Sequence, residues 1–327
     1  MMEPVLQIKD LSVAFPNFSS QVTVVRKCSL EVGKGEILGL VGESGSGKTM
    51  TAMSCLGLVP KPSYTCGSVN VAGQEIVGAK KATLNQLRGG TAGMIFQNPM
   101  TALNPFISIG DQFKDAIQSS TSSSGRAARQ RALDVLGYVY IPNPEQTLKK
   151  FPHQLSGGQL QRIMIAMVIA CNPQLLIADE PTTALDVTIQ AQVLLLIREL
   201  ALKNQLAVLF ITHDLSVVAT ICDRVAVMYA GSIVETGDVA DVFGNPAHPY
   251  TRKLLQTVPA IGKNHGRLEF IPGQVPNMSS LPNGCAFQSR CESVKDKCRN
   301  EPPVAISLTG SHQAVCHFPI SQGAGSQ

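Results

Sequence analysis

The sequence carries little charge and no long hydrophobic run. Only 15% of its 327 residues are Asp, Glu, Lys or Arg, well below the ~25% typical of soluble domains. Its apolar content is ordinary, at 44%, so the combination indicates a surface that is covered by partners. The longest apolar runs, residues 163–171 and 206–211, are far shorter than the ~18 residues that span a bilayer.

Two further absences narrow the class of protein. The net charge of +4 includes no block of Lys or Arg, so nucleic-acid binding is not indicated. The N-terminus lacks the basic and then apolar layout of a secretory signal, so we expect a cytosolic chain that reaches a membrane only through another protein. Disulfides are not expected among nine cysteines in that compartment. Five cysteines in apolar segments are expected to be buried: Cys28, Cys55, Cys66, Cys171 and Cys222.

Residues 42–49, GESGSGKT, form the strongest motif. They follow the apolar run 37–41 and precede a segment with a helical pattern. Glycines let the backbone N–H groups surround a phosphate, Lys48 reaches the β- and γ-phosphates, and the Thr49 hydroxyl ligates Mg²⁺. A glycine- and serine-rich linker that contains a lysine is the alternative. The predicted phosphate contacts are Gly42, Ser44, Gly45, Ser46, Gly47, Lys48, Thr49 and Met50.

The pattern of apolar segments predicts an α/β fold of about two domains. Strand patterns before residue 41 indicate an antiparallel N-terminal part, and short apolar strands alternating with helices after residue 155 predict a mostly parallel sheet. Residues of about 98–170 are expected to form a helical subdomain, with a serine-rich loop at 119–125. The Pro- and Gly-rich residues 241–327 are expected to form a separate C-terminal region, in which the polar tail after Ile320 is unplaced.

Chemistry is expected where the parallel strands end, because ligands bind at that edge. The apolar strand at 174–178 leads to Asp179, placed to hold Mg²⁺ through water, and to Glu180, placed to accept a proton from the water that attacks the γ-phosphate. An acidic turn without function is the alternative. His213 follows the next strand and is expected to contact the γ-phosphate and position that water.

Residues 155–159, LSGGQ, form a second phosphate-binding element, because Ser156 can cap a helix that begins with two glycines. With the other motifs, in this order and spacing, the sequence resembles the ATP-binding subunits of ABC transporters over about residues 6–237. The resemblance implies a P-loop NTPase fold in which two subunits sandwich two ATP molecules. It also implies that residues 155–159 serve the nucleotide of the partner subunit, through Ser156, Gly157, Gly158 and Gln159.

The same resemblance assigns further roles. Gln97 is expected to sense the γ-phosphate and Mg²⁺, which it contacts together with Thr49 and Asp179, and to relay to membrane subunits. Phe15 is expected to stack on adenine, with Phe18 as a nearby competitor. The loop at 184–186 is expected to cross the interface between the two ATPase subunits, with Asp186 near the nucleotide.

Residues 245–251, 271–276 and 285–291 resemble the dipeptide, oligopeptide and nickel importer ATPases. This implies partnership with a second, related ATPase subunit, two transmembrane permeases and an extracytoplasmic substrate-binding protein, at the cytoplasmic face of the membrane. Peptides, antimicrobial peptides, nickel or other metal chelates and opines stay open as cargo. A soluble ABC-type ATPase acting on DNA or ribosomes would predict coiled-coil arms, a duplicated cassette or basic faces. A third alternative is a structural or sensory module whose nucleotide site is inactive and whose C-terminal cysteines are the functional groups. The sequence argues against it because the expected nucleotide-site residues are intact: Lys48, Asp179, Glu180 and His213.

Four cysteines in the C-terminal region are separated by five, six and seventeen residues: Cys285, Cys291, Cys298 and Cys316. Four thiolates could organise this segment around a metal. Their spacing does not choose between tetrahedral zinc and an iron–sulfur cluster, and unligated thiols or disulfides formed in air are the alternative. The resemblance favours a 4Fe-4S cluster with a structural or regulatory role.

Overall fold

The computed structural model describes residues 3–17, 20–121, 123–182, 185–258 and 271–320. Within them the strands are β1 (Leu6–Asn17), β2 (Ser20–Val32), β3 (Ile37–Val41), β4 (Tyr64–Val71), β5 (Gln74–Glu75), β6 (Ala92–Ile95), β7 (Leu175–Asp179), β8 (Ala207–Ile211), β9 (Arg224–Tyr229), β10 (Ser232–Asp238), β11 (Ala305–Ser307) and β12 (Gln313–Val315).

The α-helices in the same residues are α1 (Lys48–Ser54), α2 (Lys81–Gln86), α3 (Pro99–Ala102), α4 (Ile109–Ser120), α5 (Gly125–Tyr138), α6 (Pro144–Leu148), α7 (Gly157–Ala170), α8 (Val187–Asn204), α9 (Leu215–Ile221), α10 (Val239–Gly244), α11 (Pro249–Gln256) and α12 (Asp296–Asn300). Single turns of other helix types cover Leu87–Thr91, Pro152–Gln154 and Gln288–Arg290. None of the helices in the described ranges is long and apolar enough to cross a bilayer.

The larger sheet has the strand order β11-β12-β10-β9-β3-β8-β7-β6. Strands β9, β3, β8, β7 and β6 are parallel to one another. Every residue of β3, β7 and β8 is buried, as expected for parallel strands that are covered on both faces. The predicted α/β fold with a mostly parallel sheet is therefore confirmed.

The smaller sheet is antiparallel, with the order β2-β1-β4-β5. Its central strand β1 pairs Leu6 with Val32 on one side and with Val71 on the other. The apolar side chains of this sheet pack with α1 against one face of the larger sheet, where they join Leu38 and Ile177 in a single buried cluster. This packing confirms the antiparallel N-terminal part.

Helices α3 to α7 form the predicted helical part, whose apolar residues cover the other face of the larger sheet. Phe113 of α4, Leu136 of α5 and Ile163 of α7 belong to one buried cluster with Phe210 of β8. Residue 122 of the serine-rich loop lies outside the described residues. Strand β6, at one edge of the larger sheet, leads directly into α3 of this helical part.

The C-terminal region continues the larger sheet, because β12 pairs with β10 and β11 pairs with β12. His312 Nε2 lies 2.7 Å from Oε1 of Glu235 on β10, and both side chains are buried. The domain boundary near residue 240 stays a prediction. The pairing of β12 with β10 and the contact of His312 with Glu235 both cross it. The polar tail from residue 321 lies outside the described residues.

The isolated cysteines only partly match expectation. Cys28 and Cys55 are buried, Cys171 and Cys222 are half-buried, and Cys66 is exposed. The expectation is wrong for Cys66 because it lies in the first half of β4, before that strand reaches the core at Val69 and Val71.

Candidate nucleotide site

A cavity of about 680 Å³ lies at the carboxyl ends of β3, β7 and β8. It collects residues from five separate segments of the chain, as the parallel sheet requires. Eleven of the twelve residues around it were predicted from sequence motifs, and the twelfth is Val24 of β2. The lining is Val24, Ser44, Gly45, Ser46, Gly47, Lys48, Thr49, Met50, Gln97, Asp179, Glu180 and His213.

The phosphate loop can take its shape only with glycine at two positions. Gly42 has φ +152°, and a Cβ atom there would lie 2.1 Å from the carbonyl oxygen of Met228. Gly47 has φ +106°, and its Cβ would lie 2.7 Å from the carbonyl oxygen of Val24. Both approaches are far below van der Waals contact, so the loop is pressed against β2 and β9 in a way that a side chain would prevent.

Lys48 is anchored to the loop that it serves. Its Nζ donates to the carbonyl oxygens of Gly42 at 2.8 Å and Glu43 at 3.0 Å. Burial lowers the pKa of Lys48, while the carboxylates of Glu180 and Asp179 oppose that shift. The ammonium group is therefore fixed in direction and only weakly hydrated, which strengthens its attraction for a phosphate.

Asp179 and Thr49 are neighbours in the lining of the cavity. Asp179 is buried at the end of β7, and burial raises the pKa of its carboxyl group, while a hydrogen bond with the Thr49 side chain and the charge of Lys48 lower it. A carboxylate and a hydroxyl oxygen are ligands that Mg²⁺ prefers. The two side chains line the same cavity, and their contact with Mg²⁺ stays a prediction.

Glu180 is held by the two other predicted residues. Gln97 Nε2 donates to its Oε2 at 2.8 Å, and His213 Nδ1 lies 2.9 Å from its Oε1. The backbone of Glu180 has φ +49°, and its N–H donates to the carbonyl oxygen of Ile211 at 2.9 Å. Both carboxylate oxygens are thereby oriented by side chains from the ends of β6 and β8.

Other predicted site residues lie elsewhere. Phe15 packs partly buried against the core from β1, opposite Val22, and does not line the cavity. Phe18 lies outside the described residues. Stacking of either ring on adenine stays a prediction.

The residues 155–159 also lie outside the cavity. The Ser156 Oγ accepts from the Gln159 N–H at 3.3 Å, and the Gln159 Oε1 accepts from the Ser156 N–H at 3.1 Å, which caps α7. Ser156 and Gly157 are exposed, and a Cβ at Gly157 would meet open space. Asp186 is likewise exposed and caps α8, whereas Thr183 and Ala184 lie outside the described residues.

The four C-terminal cysteines converge on one small cavity. It is lined by Cys285, Cys291, Cys298 and Cys316 together with aromatic and histidine side chains, among them His248 and Phe287. Burial raises the pKa of Cys316 to about 11, and the three other cysteines add to that rise. In the described part of the chain, no three His, Cys, Asp or Glu side chains are arranged to hold a single metal ion.

Comparison with protein families gives two matches along the chain. Residues 25–183 match the family described as ABC transporter, and residues 234–298 match the oligopeptide/dipeptide transporter C-terminal region. The chain is 46% identical to the probable D,D-dipeptide transport ATP-binding protein DdpD of Escherichia coli over 98% of both chains. The chain belongs to the ATP-binding subunits of ABC transporters. The resemblance seen in the motifs is thereby confirmed.

Two further relatives of this ABC ATPase are also similar to it along nearly the whole chain. It is 44% identical to the dipeptide transport ATP-binding protein DppD of Escherichia coli, over 96% of this chain and 97% of that one. The oligopeptide transport ATP-binding protein OppD of Salmonella typhimurium is 43% identical, over 97% and 94%.

Solved structures share the fold. A dimeric post-hydrolysis state of the ATP-binding cassette MJ0796, bound to ADP and Pi, has a TM-score of 0.65 and 26% identity, over 72% of this chain and 98% of that one. CbiO1 from Clostridium perfringens, part of a CbiONQ transporter complex, has a TM-score of 0.62 and 25% identity, over 74% and 92%. The ABC ATPase is therefore an enzyme that binds and hydrolyses ATP.

Sequence reasoning missed one set of residues at this site. Glu43 of the phosphate loop bonds with Tyr250 and Arg290 of the C-terminal region. Arg290 lies inside a segment that carried the family resemblance, directly before Cys291. No spacing rule in the sequence pairs it with a loop 247 residues away.

Proposed function

We propose that this ABC ATPase energises an importer of dipeptides or oligopeptides. The observation that carries the proposal is the joint presence, in one chain, of the cassette and of the oligopeptide/dipeptide transporter C-terminal region. Relatives along nearly the full length carry dipeptide and oligopeptide transport in their names. Antimicrobial peptides, nickel and metal chelates are the competing cargo classes.

Uptake in cells tests the cargo. Deletion of the gene is expected to abolish uptake of a radiolabelled dipeptide or tripeptide, and the wild-type gene is expected to restore it. Glu180→Gln, expressed at the same level, is expected to fail in restoring it. If the deletion strain takes up peptides normally but has lost nickel uptake, the cargo is a metal chelate. Normal uptake of all these solutes in the deletion strain would contradict the proposal that the chain serves an importer.

The cavity residues support a direct mechanism of hydrolysis. The phosphate loop and Lys48 bind the β- and γ-phosphates, and Thr49, Asp179 and Gln97 would hold Mg²⁺, which neutralises charge on the phosphate oxygens. Glu180 takes a proton from a water molecule while the oxygen of that water attacks the γ-phosphorus. The bond between that phosphorus and the ADP oxygen breaks. His213 and Gln97 fix the direction of the Glu180 carboxylate.

A second ATPase subunit would complete each site. The start of α7, with Ser156, Gly157, Gly158 and Gln159, carries N–H groups and a serine hydroxyl that do not line this chain's own cavity, and Ser156 and Gly157 are exposed. Asp186 lies exposed at the start of α8. We therefore assign both elements to the nucleotide bound by the partner, and the subunit pair to a head-to-tail sandwich of two ATP molecules.

Permease subunits would dock at a cleft of about 340 Å³ between β6 and the helical part. Its lining is mostly apolar and includes Met94, Phe96, Leu103, Met164 and Met167. Phe96 precedes Gln97, so a permease loop in this cleft would press on the residue that contacts Glu180. Two permeases and an extracytoplasmic binding protein complete the proposed importer, which places this chain at the cytoplasmic face of the membrane.

The four-cysteine cavity is proposed to hold a 4Fe-4S cluster, with zinc as the alternative. Four thiols lining one small cavity are the donor type that either group requires, although in the described residues no three of them are arranged to hold one ion. Cys285, Cys291, Cys298 and Cys316 would each supply one thiolate. When bound, the cluster would crosslink segments with little regular structure, and phosphoryl transfer does not require its electrons.

A further inference from the structure

Every polar group of Glu43, the second residue of the phosphate loop, has a partner. Its N–H donates to the Tyr250 hydroxyl oxygen at 3.0 Å. Its carboxylate accepts from Nη1 and Nη2 of Arg290 at 2.6 and 2.9 Å. Its carbonyl oxygen accepts from Lys48 Nζ at 3.0 Å. Two of these three partners lie beyond residue 240, so the C-terminal region holds the phosphate loop directly.

Arg290 is held independently of Glu43. Its side chain is only 3% exposed, its Nε donates to the carbonyl oxygen of Pro272 at 2.9 Å, and its Nη2 donates to that of Ile271 at 3.3 Å. The guanidinium carbon lies 5.8 Å from the ring centroid of Tyr229 and 6.0 Å from that of Phe287. The planar fork therefore presents two donors in a fixed direction, which suits a bidentate carboxylate.

The charge of Glu43 gives this contact a function. A carboxylate in a loop that receives a triphosphate repels that ligand unless a cation pairs with it. Its side chain is 27% exposed, so solvent screens it only in part. Burial lowers the pKa of Lys48, and the Glu43 carboxylate lies close enough to oppose that lowering. Pairing with Arg290 neutralises Glu43 and leaves the positive charge of Lys48 for the phosphates.

We propose that Arg290 is a positioning residue for ATP binding. It neutralises Glu43 and fixes the second residue of the loop, whose carbonyl oxygen in turn holds Lys48. The C-terminal region is then part of the ATP site of this chain. The proposal depends neither on the cargo nor on what occupies the cysteine cavity, so it can fail while the proposed function stands.

A double-mutant cycle on the full chain tests this role, with the dissociation constant of Mg-ATP as the readout. Arg290→Met is expected to weaken ATP binding about tenfold, because it leaves a carboxylate unpaired beside the phosphates. Glu43→Gln is expected to stay within about threefold of wild type, since its amide keeps the shape without the charge. Arg290→Met combined with Glu43→Gln is expected to return to within about threefold of wild type.

Arg224→Met is the matched control. Arg224 Nη1 lies 2.9 Å from Glu36 Oε1, and both side chains are partly buried. This pair lies at the start of β3 and β9, at the opposite end of the strands from the phosphate loop. ATP affinity in this variant is expected to be unchanged.

Two further readouts separate positioning from a structural defect. The loss in Arg290→Met is expected to shrink at high salt, because salt screens the unpaired carboxylate. At saturating ATP, kcat is expected to be nearly unchanged while KM rises, since Glu180 is not disturbed. Arg290→Lys keeps the positive charge without the planar guanidinium group, and its affinity for Mg-ATP is expected to fall about threefold. This variant replaces Arg290→Met as the test if the methionine variant does not fold.

Wild-type affinity in Arg290→Met, or in Arg290→Lys where only that variant folds, together with no salt effect, would overturn the proposal. A loss of ATP affinity in Arg290→Met that the added Glu43→Gln substitution does not restore would also overturn the proposal. The effect of Arg290 would then not depend on the charge of Glu43.

Discussion

The nucleotide cavity and the cysteine cavity are built in opposite ways. The nucleotide cavity lies at the ends of β3, β7 and β8, whose residues are all buried. The cysteine cavity lies among segments whose regular elements are short, such as α12 with five residues and β11 and β12 with three each. The first site is positioned by a sheet whose buried apolar strands stabilise it without a ligand. The second site depends on side-chain packing and on the group that it binds.

Aromatic packing joins the two regions. The ring centroids of Tyr229 and Tyr250 are 4.7 Å apart, and those of Tyr229 and Phe287 are 5.2 Å apart. Phe287 lines the cysteine cavity, and Tyr250 bonds to the phosphate loop. The two cavities, although built differently, therefore share one packed aromatic cluster.

The largest expected effect concerns the sheet-built site. Glu180→Gln is expected to lower ATP turnover roughly 10²- to 10⁴-fold, because the proton acceptor is lost. ATP affinity is expected to stay close to wild type, since Lys48, Thr49 and Asp179 are untouched. Measured turnover and nucleotide binding on the same preparation check this. Turnover at the parental rate would remove Glu180 from the role of base.

The next effect concerns assembly. Gly158→Asp places a carboxylate at the exposed start of α7, where it would face the γ-phosphate of the partner's ATP. ATP-driven association with the partner subunit is expected to weaken about tenfold or more, while this chain's own ATP affinity is unchanged. Association measured by analytical ultracentrifugation with ATP checks it. Normal association would contradict the assignment of residues 155–159 to the partner's nucleotide.

A third prediction addresses the cysteine cavity. Anaerobically purified protein is expected to be brown, with iron and sulfide in equal amounts, and Cys291→Ser is expected to lose the colour. ATP affinity is expected to change less than about threefold, because the Arg290 contacts with Glu43 use no thiol. Cys66→Ser, at an exposed position of β4, is the control that keeps the colour. Colourless protein with stoichiometric zinc would reject the cluster, and folded, metal-free protein would reject the site.

The smallest effect is on stability. Burial raises the pKa of Asp179, so its ionised form costs free energy in the folded state. That cost is present above the folded pKa and absent below 3.8, the ordinary pKa of an aspartate side chain. At pH 7 without nucleotide and with EDTA, Asp179→Asn is therefore expected to raise Tm by about 2 °C. Asp186→Asn, an exposed cap, should leave Tm unchanged, and a lower Tm in Asp179→Asn would contradict the sign.

The sequence predicted that these motifs come together at one edge of the sheet, because they lie at strand ends. Once β3, β7 and β8 are recognised as parallel, Lys48, Asp179 and His213 must come to one edge. The four-cysteine convergence was also expected from their clustering. Arg290 was not, because its bond to Glu43 depends on how loops without periodicity pack against Tyr229 and Phe287. Exposure of Cys66 was missed because β4 extends past the core before its apolar residues begin.

The pairing of β12 with β10 has a consequence for how the chain is made. Until residues 313–315 have left the ribosome, β10 has an open edge at Glu235 and Thr236, and the buried Glu235 lacks His312. An open strand edge is a template for pairing with other chains. A premature stop before β11 would thus leave strands β6 to β10 of the larger sheet synthesised with the edge of β10 open, so that the truncated subunit is expected to aggregate.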